Sequence, residues 1–176
     1  MRYRLAFAAL SLVVAGPALA LDLPARKPGL WEVNITFVGS RIPPHTVREC
    51  IDAETDKLMN SNFGGAVGQV CSKQELTRSG ATLTIDSICI INGATTTSHA
   101  VVTGSFDSSY SVDVHSTREG GPPLPGALNA GPSTHMTVAA NWLGPCQPGQ
   151  RPGDMIMGNG ITMNILDLQK RMPPQR

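Results

Sequence analysis

Three histidines and one aspartate, His99, Asp113, His115 and His135, are the residues of this 176-residue chain whose types suit metal chemistry. Imidazole nitrogen is a favoured ligand of borderline ions such as zinc and copper, and a carboxylate completes such a set. The odd numbers place these four side chains on one face of neighbouring strands, in the hairpin registers derived below. Metal handling, or metal-assisted hydrolysis, is the chemistry the cluster offers. The same residues also suit an ordinary solvated face of Thr, Ser, His and Asp. A second candidate set is aromatic. Trp31, Phe37, Tyr110 and Trp142 either enclose a small apolar or peptide-like ligand or build the core. No G-x-S-x-G, H-E-x-x-H, C-x-x-C, phosphate-binding glycine loop or EF-hand run occurs, so no catalytic residue and no cofactor are assigned.

Something must hold these groups in place, and hydrophobic periodicity says what. Trp31-Glu32-Val33-Asn34-Ile35-Thr36-Phe37 alternates apolar and polar residues without a fault, as a half-buried strand does. A weaker strand covers Thr46 to Ile51, and Asp52 to Met59 opens with a capping residue and acidic groups, predicting a short helix. From Cys71 onward the chain reads as successive hairpins. A turn at Ser79-Gly80 sets Leu76 opposite Leu83, and Asn92-Gly93 sets Leu83 opposite Val102 and Ile85 opposite Ala100. A turn at Asp107-Ser108-Ser109 sets Gly104 opposite Val112 and places His99 opposite Thr117, with His115 its diagonal neighbour. All three turns keep one face apolar, and a slip of a single residue in any of them would break that agreement. Met136, Val138, Ala140 and Trp142 continue it. With one short helix to cover five or six strands, the sheet must largely cover itself. The expected fold is an all-β antiparallel meander rolled into an open, barrel-like sheet, with a β-sandwich as the alternative.

The first twenty residues carry an instruction of another kind. Arg2 and Arg4, an apolar run from Leu5 to Gly16, and Ala18-Leu19-Ala20 match a secretory signal peptide cut after Ala20. Residues 21–176 then form a single β domain with no membrane span, in which 147–176 is a loosely attached C-terminal extension. Export to an oxidising compartment turns Cys50, Cys71, Cys89 and Cys146 into two disulfides, and the absence of any C-x-x-C pair disfavours a zinc site made of these cysteines. The hairpin at Ser79-Gly80 sets Cys71 opposite Ile88, which points Cys71 and Cys89 to opposite faces. Of the two remaining connectivities the preferred one is Cys50 with Cys71, which closes a local loop over the helix, and Cys89 with Cys146, which ties the last strand back to the meander. Charge names no partner: 14 Lys and Arg against 13 Asp and Glu leave no basic footprint for nucleic acid.

Lys27-Pro28-Gly29-Leu30-Trp31-Glu32, then Thr46-Val47-Arg48-Glu49-Cys50, Cys71, Arg78-Ser79-Gly80, Cys89 and Trp142-Leu143-Gly144-Pro145-Cys146 stand in a specific order. This combination resembles the uncharacterised family known as domain of unknown function 3617 (DUF3617), over about residues 26 to 146. The resemblance implies an exported bacterial envelope protein in the periplasm and no particular activity. The chain departs from the family pattern around Arg41 to Pro44 and in continuing past Cys146. The expectation that follows is a non-catalytic binding or envelope-interaction module. Its partner would be a small apolar ligand held by the aromatic set or another envelope protein, met for example by the Pro-rich loop from Glu119 to Pro132. A metal-handling protein or hydrolase on the His/Asp cluster, and a structural envelope component, are the alternatives.

Overall fold

Each of the alternating runs becomes a strand. The computed structural model describes residues 23–64, 70–91, 93–122 and 132–171; the expected signal peptide, residues 65–69, Asn92, most of the Pro-rich loop and the last five residues lie outside these. The strands are β1 (Gly29–Val38), β2 (His45–Ile51), β3 (Val70–Ser79), β4 (Thr82–Ile91), β5 (Ala94–Ser105), β6 (Ser109–Gly120), β7 (Ser133–Gly144), β8 (Asp154–Met157) and β9 (Thr162–Asn164). They form one sheet in the order β3-β4-β5-β6-β7-β1-β2-β8-β9, antiparallel throughout. The ends β3 and β9 do not pair with each other, so the sheet is open, as expected, and a sandwich does not form. Among the described residues two helices accompany it, α1 (Ala53–Gly64) and α2 (Ile165–Arg171), where the sequence predicts one. The second has its own signals: the Asn164 side-chain oxygen accepts the Leu166 N–H at 3.0 Å, and Lys170 and Arg171 sit in the last turn. Among the described residues no helix is long and apolar enough to cross a membrane.

The central hairpin has the register read from the sequence, with Leu83 opposite Val102 and Ile85 opposite Ala100. Its two neighbours close one residue away from the expected turns. The β3–β4 loop is Gly80-Ala81, so Leu76 faces Ile85 rather than Leu83. The β5–β6 loop is Phe106-Asp107-Ser108, so Gly104 faces Tyr110 and Val102 faces Val112. Moving a turn by one residue moves the pairing by two, which returns every side chain to its original face. The apolar set stays together although its partners change.

Trp31, Val33, Ile51, Met59, Ala140 and Ile165 form the core, drawn from β1, β2, β7 and both helices. β1 lies between β7 and β2, and its first residue explains the Pro-Gly-Leu-Trp run. Gly29 has φ +136°, and a Cβ there would collide with the Gly144 carbonyl and the Trp142 indole nitrogen. Only glycine lets β1 enter that close to β7.

Beside this core lies a buried ionic chain. The Arg26 backbone N–H and Nε donate to the two oxygens of Asp56 at 2.8 and 2.7 Å, and Nη1 donates to Glu49 Oε2 at 2.7 Å. All three side chains are buried. Burial opposes the Arg26 charge, but Glu49 and then Asp56 outweigh it and hold the guanidinium above its ordinary pKa. The chain ties the segment before β1 to β2 and to α1.

The start of α1 is capped reciprocally. The Thr55 N–H donates to Asp52 Oδ1 at 2.8 Å while the Asp52 N–H donates to Thr55 Oγ1 at 2.9 Å, a capping box with Thr in the third position. These bonds from Thr55 hold the Asp52 carboxyl below the usual carboxylate range. Asp52→Ala lowers stability by about 0.5–2 kcal/mol. Because the folded-state pKa is the lower one, the cap contributes fully above about pH 4 and is lost as pH falls through the folded value. Urea unfolding at pH 7 and pH 2.5 checks this: the gap between wild type and variant shrinks at the lower pH.

Both disulfides differ from the expected pairing. The bonds are Cys50–Cys146 and Cys71–Cys89. A β-bulge at Ser72 is the reason for the second: Lys73 pairs with Ile88, yet Cys71 pairs with Cys89. The extra residue flips the parity of β3 beyond it, so the two cysteines meet on one face. For the first, Leu30 of β1 has Cys50 on one side and Gly144 on the other. Cys146, two residues past Gly144, reaches across β1 to β2.

Beyond Cys146, where the sequence suggests a loosely attached extension, the chain adds two short strands and α2. β8 pairs with β2, β9 pairs with β8, and Ile165 enters the core. The Gly153 N–H donates to the Cys50 carbonyl at 2.8 Å. Strands of four and three residues are too short to show a period, which is why the sequence conceals them.

Candidate functional site

The polar face of the sheet carries the histidines, and register brings them to one level. Asp86 of β4 lies opposite His99 of β5, His99 opposite His115 of β6, and His115 opposite His135 of β7. Val38 of β1 ends the row beside His135. The two-residue shift in β5–β6 pairing is what puts His99 directly across from His115 instead of Thr117. Asp113 stands two residues before His115 on the same face and is the diagonal neighbour of His135.

Two imidazoles converge on one carboxylate. His135 Nε2 lies 2.9 Å from Asp113 Oδ2, and His115 Nε2 lies 3.0 Å from Asp113 Oδ1. The two rings stack, with centroids 4.1 Å apart and planes 15° from parallel. A carboxylate only accepts, so each Nε2 carries the hydrogen it donates. The hydrogen bond from His135, with lesser help from His115, holds Asp113 below the usual carboxylate range. The metal-ligating atoms of Asp113, His115 and His135 all lie within 4.8 Å of one another. Among the described residues they are the one group of three with that property. A cation at the point of convergence would take the place of the shared hydrogens, each ring turning its Nε2 lone pair inward and carrying its proton on Nδ1.

His99 is close but differently engaged. Its Nδ1 lies 2.8 Å from Asp86 Oδ1, and both side chains are about half-exposed. His99, His115 and His135 line one open concavity of about 460 Å³, together with Thr97, Thr117 and Ser133. Hydroxyls surround the imidazoles, and among the described residues no Lys or Arg lines this concavity. Asp86 is the member of the row that sequence reasoning missed. Its signal was present, because the register that sets Leu83 opposite Val102 also sets position 86 opposite 99.

The family model described as Protein of unknown function (DUF3617) matches residues 26–146. The chain belongs to this family. No curated protein and no solved structure matches it. In this DUF3617 chain the matched span opens on Arg26, the centre of the buried ionic chain, and closes on Cys146, the partner of Cys50. The whole histidine row lies inside it, whereas β8, β9 and α2 lie beyond.

The aromatic candidates of the DUF3617 domain sit on the opposite, apolar face. Trp31 is fully buried, its ring centroid 5.6 Å from that of Tyr110, and its Nε1 donates to the Lys27 carbonyl at 2.8 Å. Trp142 lies across from Trp31, donates from Nε1 to the Pro28 carbonyl at 3.1 Å and carries Lys27 Nζ over its ring at 3.6 Å. Burial raises the Tyr110 pKa, and Phe106 stacks on its ring at 4.8 Å. Phe37 shares their face at the far end of β1, opposite Met136. Three of the four thus lie together and Phe37 apart from them. The 460 Å³ concavity is lined by none of the four. Most of the Pro-rich loop, residues 123–131, lies outside the described residues.

Proposed function

We propose that this DUF3617 protein is an exported, non-catalytic binding module whose ligand is a borderline divalent metal ion, held by Asp113, His115 and His135. One observation carries the reading: a carboxylate and two imidazole nitrogens from adjoining strands converge within 4.8 Å on an open polar face. The chemistry of that donor set suits zinc or copper rather than calcium or magnesium, which prefer all-oxygen cages. Rigid strands hold the ligands, so little ordering remains to oppose binding. Export is supported by the leader-like first twenty residues and by the two disulfides, which persist in oxidising compartments.

Calorimetric titration of the untagged, oxidised chain with zinc tests the reading. Wild type takes up one ion with micromolar affinity, and the pair of substitutions His115→Ala and His135→Ala abolishes it. Both residues are on the polar face away from the core, so the circular dichroism spectrum stays that of wild type. Equal binding by wild type and the double variant would make the row an ordinary solvated surface.

A further inference from the structure

Resting on the metal-binding reading, we propose that His99 is a fourth ligand, recruited from the neighbouring strand on metal binding, with Asp86 as the carboxylate that orients it. Three observations lead there. His99 lies directly across from His115 in the β5–β6 register, and residues so opposed have Cβ atoms about 4.5–5.5 Å apart. His99 also lines the same concavity as His115 and His135. Finally, its Nδ1 is already committed to Asp86 Oδ1 at 2.8 Å. Because the carboxylate can only accept, Nδ1 is the protonated nitrogen and Nε2 keeps the lone pair.

That is the state a metal-ligating histidine needs. Ligand imidazoles characteristically donate their second N–H to a carboxylate, which fixes the tautomer and raises the basicity of the ligating nitrogen. His115 and His135 share one carboxylate that is itself a ligand, and among the described residues His99 is the histidine of the row paired with a carboxylate outside the cluster. Its side chain is about half-exposed, and rotation toward His115 meets solvent rather than packed core.

The consequence concerns what the site does with its ion. Three protein ligands leave a position for water and substrate, the arrangement of catalytic zinc; four close a tetrahedron, the arrangement that holds the ion without exposing it to chemistry. Recruiting His99 converts the first into the second. The site becomes one that retains a metal, and zinc, which has no geometric preference of its own and is four-coordinate in structural sites, is the ion it fits best.

Zinc affinity and the visible spectrum of the cobalt(II)-loaded full chain test the proposal, with His99→Ala, Asp86→Asn and His115→Ala compared with wild type. The expected wild-type cobalt spectrum is the intense one of a four-coordinate tetrahedral ion. His99→Ala weakens zinc by at least about tenfold and shifts the cobalt bands, because water replaces an imidazole in the fourth position, while Asp86→Asn weakens zinc by about 10-fold and leaves the band positions unchanged. If His99→Ala keeps wild-type affinity and spectrum while His115→Ala loses the metal, recruitment of His99 is overturned and the three-ligand site stands. If wild type itself takes up neither ion, the metal-binding reading and this proposal fall together.

Discussion

Replacing Cys50 and Cys146 together with Ser lowers the unfolding free energy by about 4–5 kcal/mol, more than replacing Cys71 and Cys89, which costs about 3 kcal/mol. Chain entropy sets the order. The first bond closes a loop of 96 residues and the second one of 18, and the denatured ensemble loses more freedom to the longer loop. Position acts in the same direction. Cys50 is fully buried and its bond spans β1, joining β7 to β2 at the end of the sheet where Trp31 and Ile51 are packed. Cys71–Cys89 staples an outer hairpin whose pairing the strand hydrogen bonds already define. Urea unfolding followed by tryptophan fluorescence measures both variants, since Trp31 lies in the core. Equal losses would contradict the entropic ranking. Peptide mapping without reduction checks the connectivity itself, and a fragment joining Cys50 to Cys71 would overturn the bonds described.

Arg26→Met destabilises the protein by about 3–5 kcal/mol, because it strands two buried carboxylates without their cation. Glu49 and Asp56 are 6% and 1% exposed, so water cannot take over the hydrogen bonds that the guanidinium supplies. For a domain of this size the loss appears as a fall in Tm of roughly 6–20 °C. A control separates the charge from the volume of the side chain. Adding Glu49→Gln and Asp56→Asn to Arg26→Met removes the uncompensated charges and recovers part of the loss, since amides cost less to bury than carboxylates. If the triple variant is less stable than Arg26→Met alone, the stabilisation comes from packing against Trp31 and Met59, which the guanidinium also approaches, and not from the ion pairs.

Faces were legible in this chain, and registers less so. Alternation assigned Trp31, Val33, Ile35 and Phe37 to one side of β1, and Met136, Val138, Ala140 and Trp142 to the same side of β7, because a period of two is a local property. Asn92-Gly93 located its hairpin to the residue. Ser79-Gly80 and Asp107-Ser108-Ser109 did not, since Gly, Ser and Asp tolerate turn conformations at several adjacent positions and packing chooses among them. The His99, Asp113, His115 and His135 set shares a face in either register, because a shift of two residues preserves parity. The closeness of Asp113, His115 and His135 depends on the β6–β7 register, and the shift in β5–β6 pairing adds only His99 across from His115.

Local order along the chain thus determined the strands, the first helix with its Asp52 cap, and which side chains turn toward water. Tertiary structure alone decided which cysteines bond, where Arg26 finds Glu49 and Asp56, that β8 and β9 extend the sheet, and that Ile165 of α2 enters the core. The division has a physical origin. Backbone preference and hydrophobic alternation act over a few residues, whereas a bulge at Ser72, a bond across β1 or a buried ion pair 30 residues apart depends on the summed packing of elements that are distant in sequence.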